Sequence, residues 1–127
     1  MTVRLTEIVV DCADPRRLAE FWCAVLGWEV SDANDTDVEI RPVGTEAKTS
    51  IVPSLLFQRV PEPKAGKNRI HLDVNSFDGD QATELDRLLA LGATRVDIGQ
   101  GRPAWHVLAD PEGNEFCLLR SVVSPGT

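Results

Sequence analysis

The chain has 127 residues and a mass of 13.9 kDa, which predicts one compact domain or two very small half-domains that share a core. Hydrophobic residues make up 43% and charged residues 26%, proportions that exclude disordered and fibrous classes. The net charge of -7, with no cluster of Lys and Arg, excludes nucleic acid and an anionic membrane as partners, because phosphate contacts need concentrated positive charge.

A first strand is predicted over residues 5–11, where apolar and polar residues alternate. Ile8 and Val10 share the face expected to meet a helix, which leaves Glu7 and Asp11 on the opposite face. Because a strand places alternate side chains on opposite faces, these two carboxylates are candidates for an inner, ligand-facing surface.

A first helix follows this strand. Asp14 is the predicted N-cap, Pro15 occupies the first helical position and Gly27 ends the helix. The apolar residues recur at helical spacing and predict one buried face: Leu18, Phe21, Trp22, Val25 and Leu26.

Three strands complete the first half, and the element order then starts again. The first-half strands are predicted at 28–30, 38–41 and 50–60. The polar segment 62–68, rich in Pro, Gly and Lys, is the predicted linker between a module of residues 1–61 and a module of residues 69–127. The second module has predicted strands at 69–74, 94–98, 104–109 and 115–122 and a helix from about Asp80 to Leu91 with Ala82, Leu85, Leu88 and Leu89 on one face.

The spacing of the helix signals indicates an internal repeat. Asp14 and Asp78 are 64 residues apart, and Gly27 and Gly92, which end the two helices, are 65 apart. Two βαβββ modules of this size cannot each close a sheet alone. The sequence therefore predicts an α+β fold, in which the two modules form a curved, mixed eight-stranded sheet around a cleft.

Three segments resemble the glyoxalase-like branch of the vicinal oxygen chelate superfamily, the glyoxalase, bleomycin-resistance and dioxygenase type. They are DCADPRRLAEFWCAVLGWEV (11–30), NRIHLDV (68–74) and LADPEGNEFCLL (108–119), in the order and spacing of that family. The resemblance covers nearly the whole chain and is specific for fold. It is much less specific for function, because the superfamily includes isomerases, dioxygenases, epimerases, thiol transferases and drug-binding resistance proteins.

The resemblance implies where a metal would bind. In metal-dependent members, the first and last strand of each module supply ligands that are mostly His, Glu or Gln. The first-strand ligand lies seven residues before the Asp that precedes the helix, which gives Glu7 and His71. The nearest closing-strand candidate of the first module is Gln58. The resemblance thus implies a divalent metal cofactor with Glu7, His71 and Gln58 as ligands.

The fourth ligand position departs from the family. The family has a Glu seven residues after the Asp of the closing hairpin, and counting from Asp110 gives Cys117. A thiolate favours zinc or a softer ion, whereas oxygen and imidazole ligands suit Mn, Fe, Ni or Zn. Cys117 is either such a ligand, a nucleophile or a quiet buried thiol, and we favour the last, because an interior strand cysteine usually packs as a small hydrophobe.

Several other residues are candidates for ligand binding. One of Trp105 and His106 is expected to face the cleft and the other the helix side or a partner. Asp11 and Asp73 share the predicted ligand face and could orient His71 and Glu7, or simply reach solvent. His71 itself is either a ligand or general base, since imidazole exchanges protons near neutral pH, or a hydrogen-bonded residue of the cleft.

The leading functional hypothesis is that the protein binds or acts on a small oxygen-bearing organic molecule, with lyase or isomerase-type chemistry at His71 and Glu7. The alternative is a metal-free, resistance-type protein that binds a drug or metabolite in an apolar pocket. A third hypothesis is an interaction module with a vestigial cleft. The resemblance also implies a homodimer, and the absence of a leader pattern or an apolar run near 18 residues predicts a cytoplasmic protein without a membrane partner.

Overall fold

The computed structural model describes residues 2–46, 50–97 and 105–124. Two compact units divide the chain, Met1–Pro63 and Lys64–Thr127, and their boundary falls inside the predicted linker 62–68. Among the described residues, each unit has the element order βαβββ, which confirms the α+β class and its two modules. The elements are β1 (Glu7–Cys12), α1 (Pro15–Leu26), β2 (Trp28–Ala33), β3 (Asp37–Pro42), β4 (Ser54–Arg59), β5 (Leu72–Phe77), α2 (Gln81–Leu91), β6 (Thr94–Arg95), β7 (His106–Ala109) and β8 (Glu115–Val123).

The eight strands are hydrogen-bonded as two four-stranded sheets. Their strand orders are β1-β4-β3-β2 and β5-β8-β7-β6. In each sheet the first strand of the module runs parallel to the last, and the other neighbours are antiparallel. The strand that begins a module therefore lies beside the strand that closes it, which brings residues distant in sequence onto one sheet face.

Helix α1 covers one face of the first sheet. The Asp14 side chain accepts a hydrogen bond from the Arg17 N–H, and Gly27 ends the helix in the left-handed conformation, as the sequence predicted. Apart from the half-buried Leu26, the predicted apolar face is buried, and it packs on the sheet side that carries Val38, Ile40, Leu55 and Phe57. Within residues 2–46 and 50–63, no helix packs on the opposite sheet face.

Several strand limits of the first module differ from the prediction: β2 extends to Ala33 rather than ending at residue 30, and two other strands begin later than predicted. Strand β1 begins at Glu7 rather than residue 5, and β4 begins at Ser54 rather than residue 50. Pro53 has no N–H to donate, and Ser54 is the first β4 residue opposite β1, where it pairs with Glu7. Pairing of these two strands thus starts at the Glu7 position.

The second module departs more from its predicted pattern. Strand β5 covers Leu72–Phe77 rather than residues 69–74. It ends later than predicted because its last residues still pair with the end of β8. It also begins later, so His71 lies just before the strand. The N-cap of α2 is Asp80, and Asp78 lies before it with a positive φ of 59°. The two N-caps are therefore 66 residues apart, not the 64 inferred through Asp78.

Helix α2 buries a narrower face than predicted. Leu85 and Leu88 are buried, Leu89 is half-buried and Ala82 is exposed. The strands predicted at 94–98 and 104–109 are shorter, at Thr94–Arg95 and His106–Ala109. Ile98 and Ala104, which were predicted to belong to them, lie outside the described residues. Neither described helix is long and apolar enough to cross a bilayer.

Candidate functional site

The face of the first sheet away from α1, which we term the open face, carries several charged side chains. Strand register places Glu7 opposite Ser54 and Asp11 opposite Gln58 on this face. Glu39 lies opposite Leu56, between the two. Because paired residues in a sheet point to the same side, these side chains form one surface.

Glu7 is held by two neighbours on the open face. The Ser54 hydroxyl donates to Glu7 Oε2 over 3.2 Å, and the Glu7 and Glu39 carboxyl groups share a hydrogen bond. That hydrogen bond, together with partial burial, raises the pKa of Glu7 above its ordinary value. Two carboxyl groups that share a hydrogen bond favour a state in which the pair holds one proton.

The ionised member of this pair is Glu39. Partial burial opposes its ionisation, but hydrogen bonds from Glu7, Arg41 and Ser31 lower the pKa of Glu39 to about 2. The Arg41 guanidinium forms a salt bridge with Glu39 Oε1, and the Ser31 hydroxyl donates to the same oxygen over 2.7 Å. Arg41 is only 6% exposed, so Glu39 is the counter-ion of a buried cation.

Gln58 does not lie beside Glu7. Its register partner is Asp11, four positions along β1 from Glu7, which corresponds to about 13 Å at the usual strand rise. Leu56, which carries no ligand atom, occupies the open-face position between Ser54 and Gln58. Asp11 and Gln58 are both exposed, as the open-face prediction requires.

The second unit gathers three chemically reactive side chains on its own open face. Asp73 on β5 pairs directly with Cys117 on β8. The neighbouring pair joins Leu72 to the fully buried Phe116 on the side that packs on α2, so Asp73 and Cys117 point away from the helix. His71 precedes Asp73 by two residues and completes the group.

His71 is positioned by Asp73. The distance from His71 Nε2 to Asp73 Oδ1 is 3.1 Å, and the two side chains are 43% and 48% exposed. A carboxylate can only accept, so Nε2 donates the hydrogen, and in the neutral ring Nδ1 keeps its lone pair. The pair thus presents an oriented imidazole to solvent.

Cys117 is the buried member of the group. Burial, followed by the negative charge of Asp73, raises the pKa of the Cys117 thiol, although the Lys67 ammonium acts in the opposite direction. The thiol also donates a hydrogen bond to the Asp73 carboxylate. A buried thiol with a raised pKa is a weak nucleophile in the free protein, which supports the quiet interpretation of Cys117 over the nucleophilic one.

Trp105 and His106 differ in their surroundings. His106 pairs with the buried Leu118, so it lies on the helix side of the second sheet. Val107, its neighbour, pairs with Cys117 on the open face. Trp105 precedes β7 and is 43% exposed, which leaves its ring available for contact.

The segment that leads into the second unit is bound to the closing strand β8 by a hydrogen bond and an ion pair. Glu115 accepts a hydrogen bond from the Asn68 N–H over 3.0 Å. It also forms an ion pair with Lys64, in which Nζ lies 3.0 Å from Glu115 Oε1. Although partial burial opposes the change, these contacts lower the pKa of Glu115. They fix the chain three residues before His71.

The metal implied by the resemblance fits the two units unequally. In the first, Glu7 is engaged by Ser54 and Glu39, and Gln58 lies too far along the strand to join it. In the second, the ligand atoms of His71, Asp73 and Cys117 all lie within 4.8 Å of one another. The donor atoms for an ion are thus close together in the second unit. Asp73 is a possible metal ligand there, whereas the sequence suggested only that it could orient His71.

Sequence reasoning missed Glu39 and Arg41. The alternation of the segment 37–42 would have placed both on one strand face, but the strand order β1-β4-β3 is not sequential, so nothing in the chain order pointed to Glu7 as a neighbour. Polar residues at alternate positions of a buried strand were the available signal.

Comparison with known proteins agrees with this architecture. Residues 7–119 match the model of the glyoxalase-like domain family. No curated protein gives a significant match.

Several solved structures share the fold at low identity. A glyoxalase/bleomycin resistance protein/dioxygenase family enzyme from Burkholderia phytofirmans PsJN is 16% identical with a TM-score of 0.64, over 91% of this chain and 97% of the other. The genomically encoded fosfomycin resistance protein FosX from Listeria monocytogenes is 13% identical with a TM-score of 0.68, over 95% and 93%. A glyoxalase-related enzyme from Fulvimarina pelagi is 16% identical with a TM-score of 0.62, over 91% and 86%. With a family match over most of its length and the paired βαβββ modules, the chain belongs to the glyoxalase-like domain family of the vicinal oxygen chelate superfamily.

Proposed function

We propose that this protein acts on a small organic molecule with neighbouring oxygen atoms, through lyase or isomerase-type chemistry with His71 and Glu7 as its catalytic residues. The observation that carries the proposal is the His71 side chain, which Asp73 holds at 3.1 Å while leaving it 43% exposed. A histidine fixed in this way is preorganised to bind an oxygen atom of a ligand.

Glu7 is the proposed proton-transfer group. Its shared hydrogen bond with Glu39 raises the pKa of Glu7 toward the range in which a carboxyl group both donates and accepts protons. Arg41 keeps Glu39 ionised, so Glu7 rather than Glu39 is the member of the pair that takes up a proton. Glu39 and Arg41 therefore position the proton, and Glu7 transfers it.

His71 is proposed to bind the oxygen-bearing part of the ligand. Asp73 fixes the ring, and the buried Cys117 lies opposite Asp73 on the neighbouring strand. A divalent ion held at His71, Asp73 and Cys117 would supply a Lewis acid for those oxygen atoms. Family membership supports this assignment at the level of fold, and similar solved structures include fosfomycin resistance proteins.

A second candidate is a binding protein without catalysis, and the exposed Trp105 favours it. An indole that is 43% exposed offers a flat surface on which an aromatic drug or metabolite could stack. In that case Trp105 rather than His71 would dominate the affinity.

The test combines binding with proton exchange. A panel of α-hydroxy acids, α-hydroxyketones and catechols is screened by NMR chemical-shift perturbation, and each binder is then incubated with the protein in D2O while its C–H signals are followed. The proposal expects exchange that Glu7→Gln abolishes with binding retained, and binding that His71→Ala weakens. Binding without exchange, weakened by Trp105→Ala and unaffected by His71→Ala, would establish the second candidate instead.

Assembly as a homodimer and location in the cytoplasm stay predictions. Light scattering of the purified protein checks the first, with a mass near twice 13.9 kDa as the expected result. Cell fractionation with an antibody against the chain checks the second.

A further inference from the structure

Among the residues that the structure describes, three potential ligands of different chemistry converge in the second unit. They are an imidazole from His71, a carboxylate from Asp73 and a thiol from Cys117, with one ligand atom of each within 4.8 Å of the others. Asp73 and Cys117 face each other across β5 and β8, and His71 lies two residues before Asp73.

From this cluster we propose that the second unit binds a zinc ion by itself, through His71, Asp73 and Cys117, without a ligand from the first unit. The inference deepens the proposed function, on which its chemical role rests, because it names the ion through which His71 would bind the ligand's oxygen atoms. Metal binding itself can be measured with no organic ligand present, so the two proposals can fail separately.

The distances suit a tetrahedral ion after small side-chain movements. Bonds of about 2.0 to 2.1 Å to N and O place two such donors about 3.3 Å apart, and a thiolate at about 2.3 Å lies roughly 3.6 Å from either. His71 Nε2 and Asp73 Oδ1 are already 3.1 Å apart, and Nε2 can bind the ion once its hydrogen is lost to solvent and Nδ1 is protonated in its place. The remaining separations, at most 4.8 Å, must shorten by about 1 Å, and the two exposed side chains are free to rotate toward the buried sulfur.

The donor set selects the ion. A thiolate with an imidazole and a carboxylate is a zinc-type combination, and hard ions such as magnesium and calcium take oxygen ligands instead. Binding converts the Cys117 thiol to a thiolate, and its proton leaves to the buffer. The thiolate and the Asp73 carboxylate then balance the two positive charges of the ion, and the positive charge of Lys67 also favours the Cys117 thiolate.

Three protein ligands leave the fourth tetrahedral position open. Structural zinc sites are usually closed by four protein ligands, whereas catalytic sites keep one position for water or substrate. The cluster on the second sheet has the open composition, and two of its members are about half exposed. An oxygen atom of the ligand could therefore reach the ion.

The charged groups on the open face of the first unit already have partners. Glu7 is already engaged by Ser54 and Glu39, and the buried Arg41 cation is paired on the same face. A cation that bound Glu7 would have to break the hydrogen bond that Glu7 shares with Glu39. The prediction differs from the arrangement implied by family resemblance, in which Glu7 and Gln58 are ligands.

Cobalt(II) provides the spectroscopic test, because it occupies zinc sites and shows a thiolate-to-cobalt charge-transfer band when cysteine is a ligand. The untagged, metal-free chain is titrated with cobalt and then with zinc as competitor, and zinc stoichiometry is measured by elemental analysis. The variants are Cys117→Ser, Asp73→Asn and Glu7→Gln, with Cys23→Ser as a control for thiol removal elsewhere. Circular dichroism verifies that each variant is folded.

The expected result is about one zinc per chain, because the described residues contain one such cluster. The charge-transfer band should disappear in Cys117→Ser and persist in Cys23→Ser and Glu7→Gln. Zinc affinity should fall by more than about 100-fold in Asp73→Asn, because changes even behind the ligands cost 10- to 100-fold. Cys117 is buried, so Cys117→Ser could fail to fold. Asp73 is exposed, so Asp73→Asn should still fold and then carries the test. No stoichiometric zinc, a band retained in Cys117→Ser, or loss of zinc in Glu7→Gln would each overturn the inference. The proposed function would survive the first result if His71→Ala still weakens binding of the organic ligand.

Discussion

Replacing Glu39 by Gln should destabilise the first unit at neutral pH and leave it nearly unchanged in strong acid. Gln keeps an oxygen that accepts from Arg41, so the substitution removes the charge and little of the packing. The folded pKa of Glu39 is about 2 against an ordinary 4.5, which sets a ceiling of about 3 kcal/mol at 1.36 kcal/mol per unit. The raised pKa of Glu7 has the opposite sign and partial exposure reduces both effects, so we expect a loss of about 1–2 kcal/mol at pH 7.

The direction of the pH dependence follows from the depressed pKa of Glu39. Ionised Glu39 stabilises the folded state fully above the unfolded value of 4.5, and this contribution is lost as the pH falls toward about 2. The difference in unfolding free energy between the wild type and Glu39→Gln should therefore shrink over that interval.

Tryptophan fluorescence can report the first unit selectively. Of the three tryptophans, Trp22 and Trp28 lie in the first unit, so a Trp105→Phe background confines the signal to it. Urea unfolding is then measured at pH 7 and at several values down to pH 2, with the exposed Glu20→Gln as the charge-matched control. Equal stability of Glu39→Gln and wild type at pH 7, or a difference that does not change with pH, would refute the electrostatic account.

Three further predictions concern the second unit. Phe116→Ala should lower the free energy of unfolding by about 3–5 kcal/mol because Phe116 is fully buried, whereas Phe77→Ala, at a 65% exposed position, should change it by less than about 0.5 kcal/mol; urea unfolding distinguishes them. Asp80→Ala should lower the free energy of unfolding, since the Asp80 carboxylate accepts the Thr83 N–H over 2.7 Å, and hydrogen exchange in the first turn of α2 should rise. Glu115→Gln should destabilise this unit above pH 4.5 and have less effect as the pH falls, because the lowered pKa of Glu115 stabilises the fold only when the carboxylate is ionised; thermal unfolding at pH 7 and pH 3 measures both.

Local signals in the sequence predicted the first helix closely. Asp14, Pro15 and Gly27 act within a few residues of themselves, and the structure places all three as expected. The second strand-to-helix connection was harder to predict, because Asp78 and Asp80 are both capable caps. Only the Asp80 side chain accepts the N–H of the first turn, a choice made by the length of β5 and its pairing with β8.

The candidate site depended on contacts that run between distant strands. Cys117 could be placed by counting from the hairpin, and Asp73 by alternation from His71, so their shared face was predictable. Their direct pairing needed the β5–β8 register, which no local pattern specifies. The pairing of Glu7 with Glu39 was less accessible still, because β3 reaches β1 only across β4.

The parallel pairing of the first and last strand in each module has a consequence for biosynthesis. Strand β1 has no hydrogen-bonded neighbour among the described strands until β4 is made, and β5 similarly waits for β8. Contacts with such large sequence separation form slowly, because loop closure costs entropy before the contact repays it. The first module can therefore fold on the ribosome once residue 59 has emerged, while β5 stays an unpaired and adhesive edge until β8 follows. A translation stall that leaves the emerged part of the chain ending between residues 78 and 114 would expose one finished module and one unpaired strand, a state prone to capture by chaperones or to aggregation.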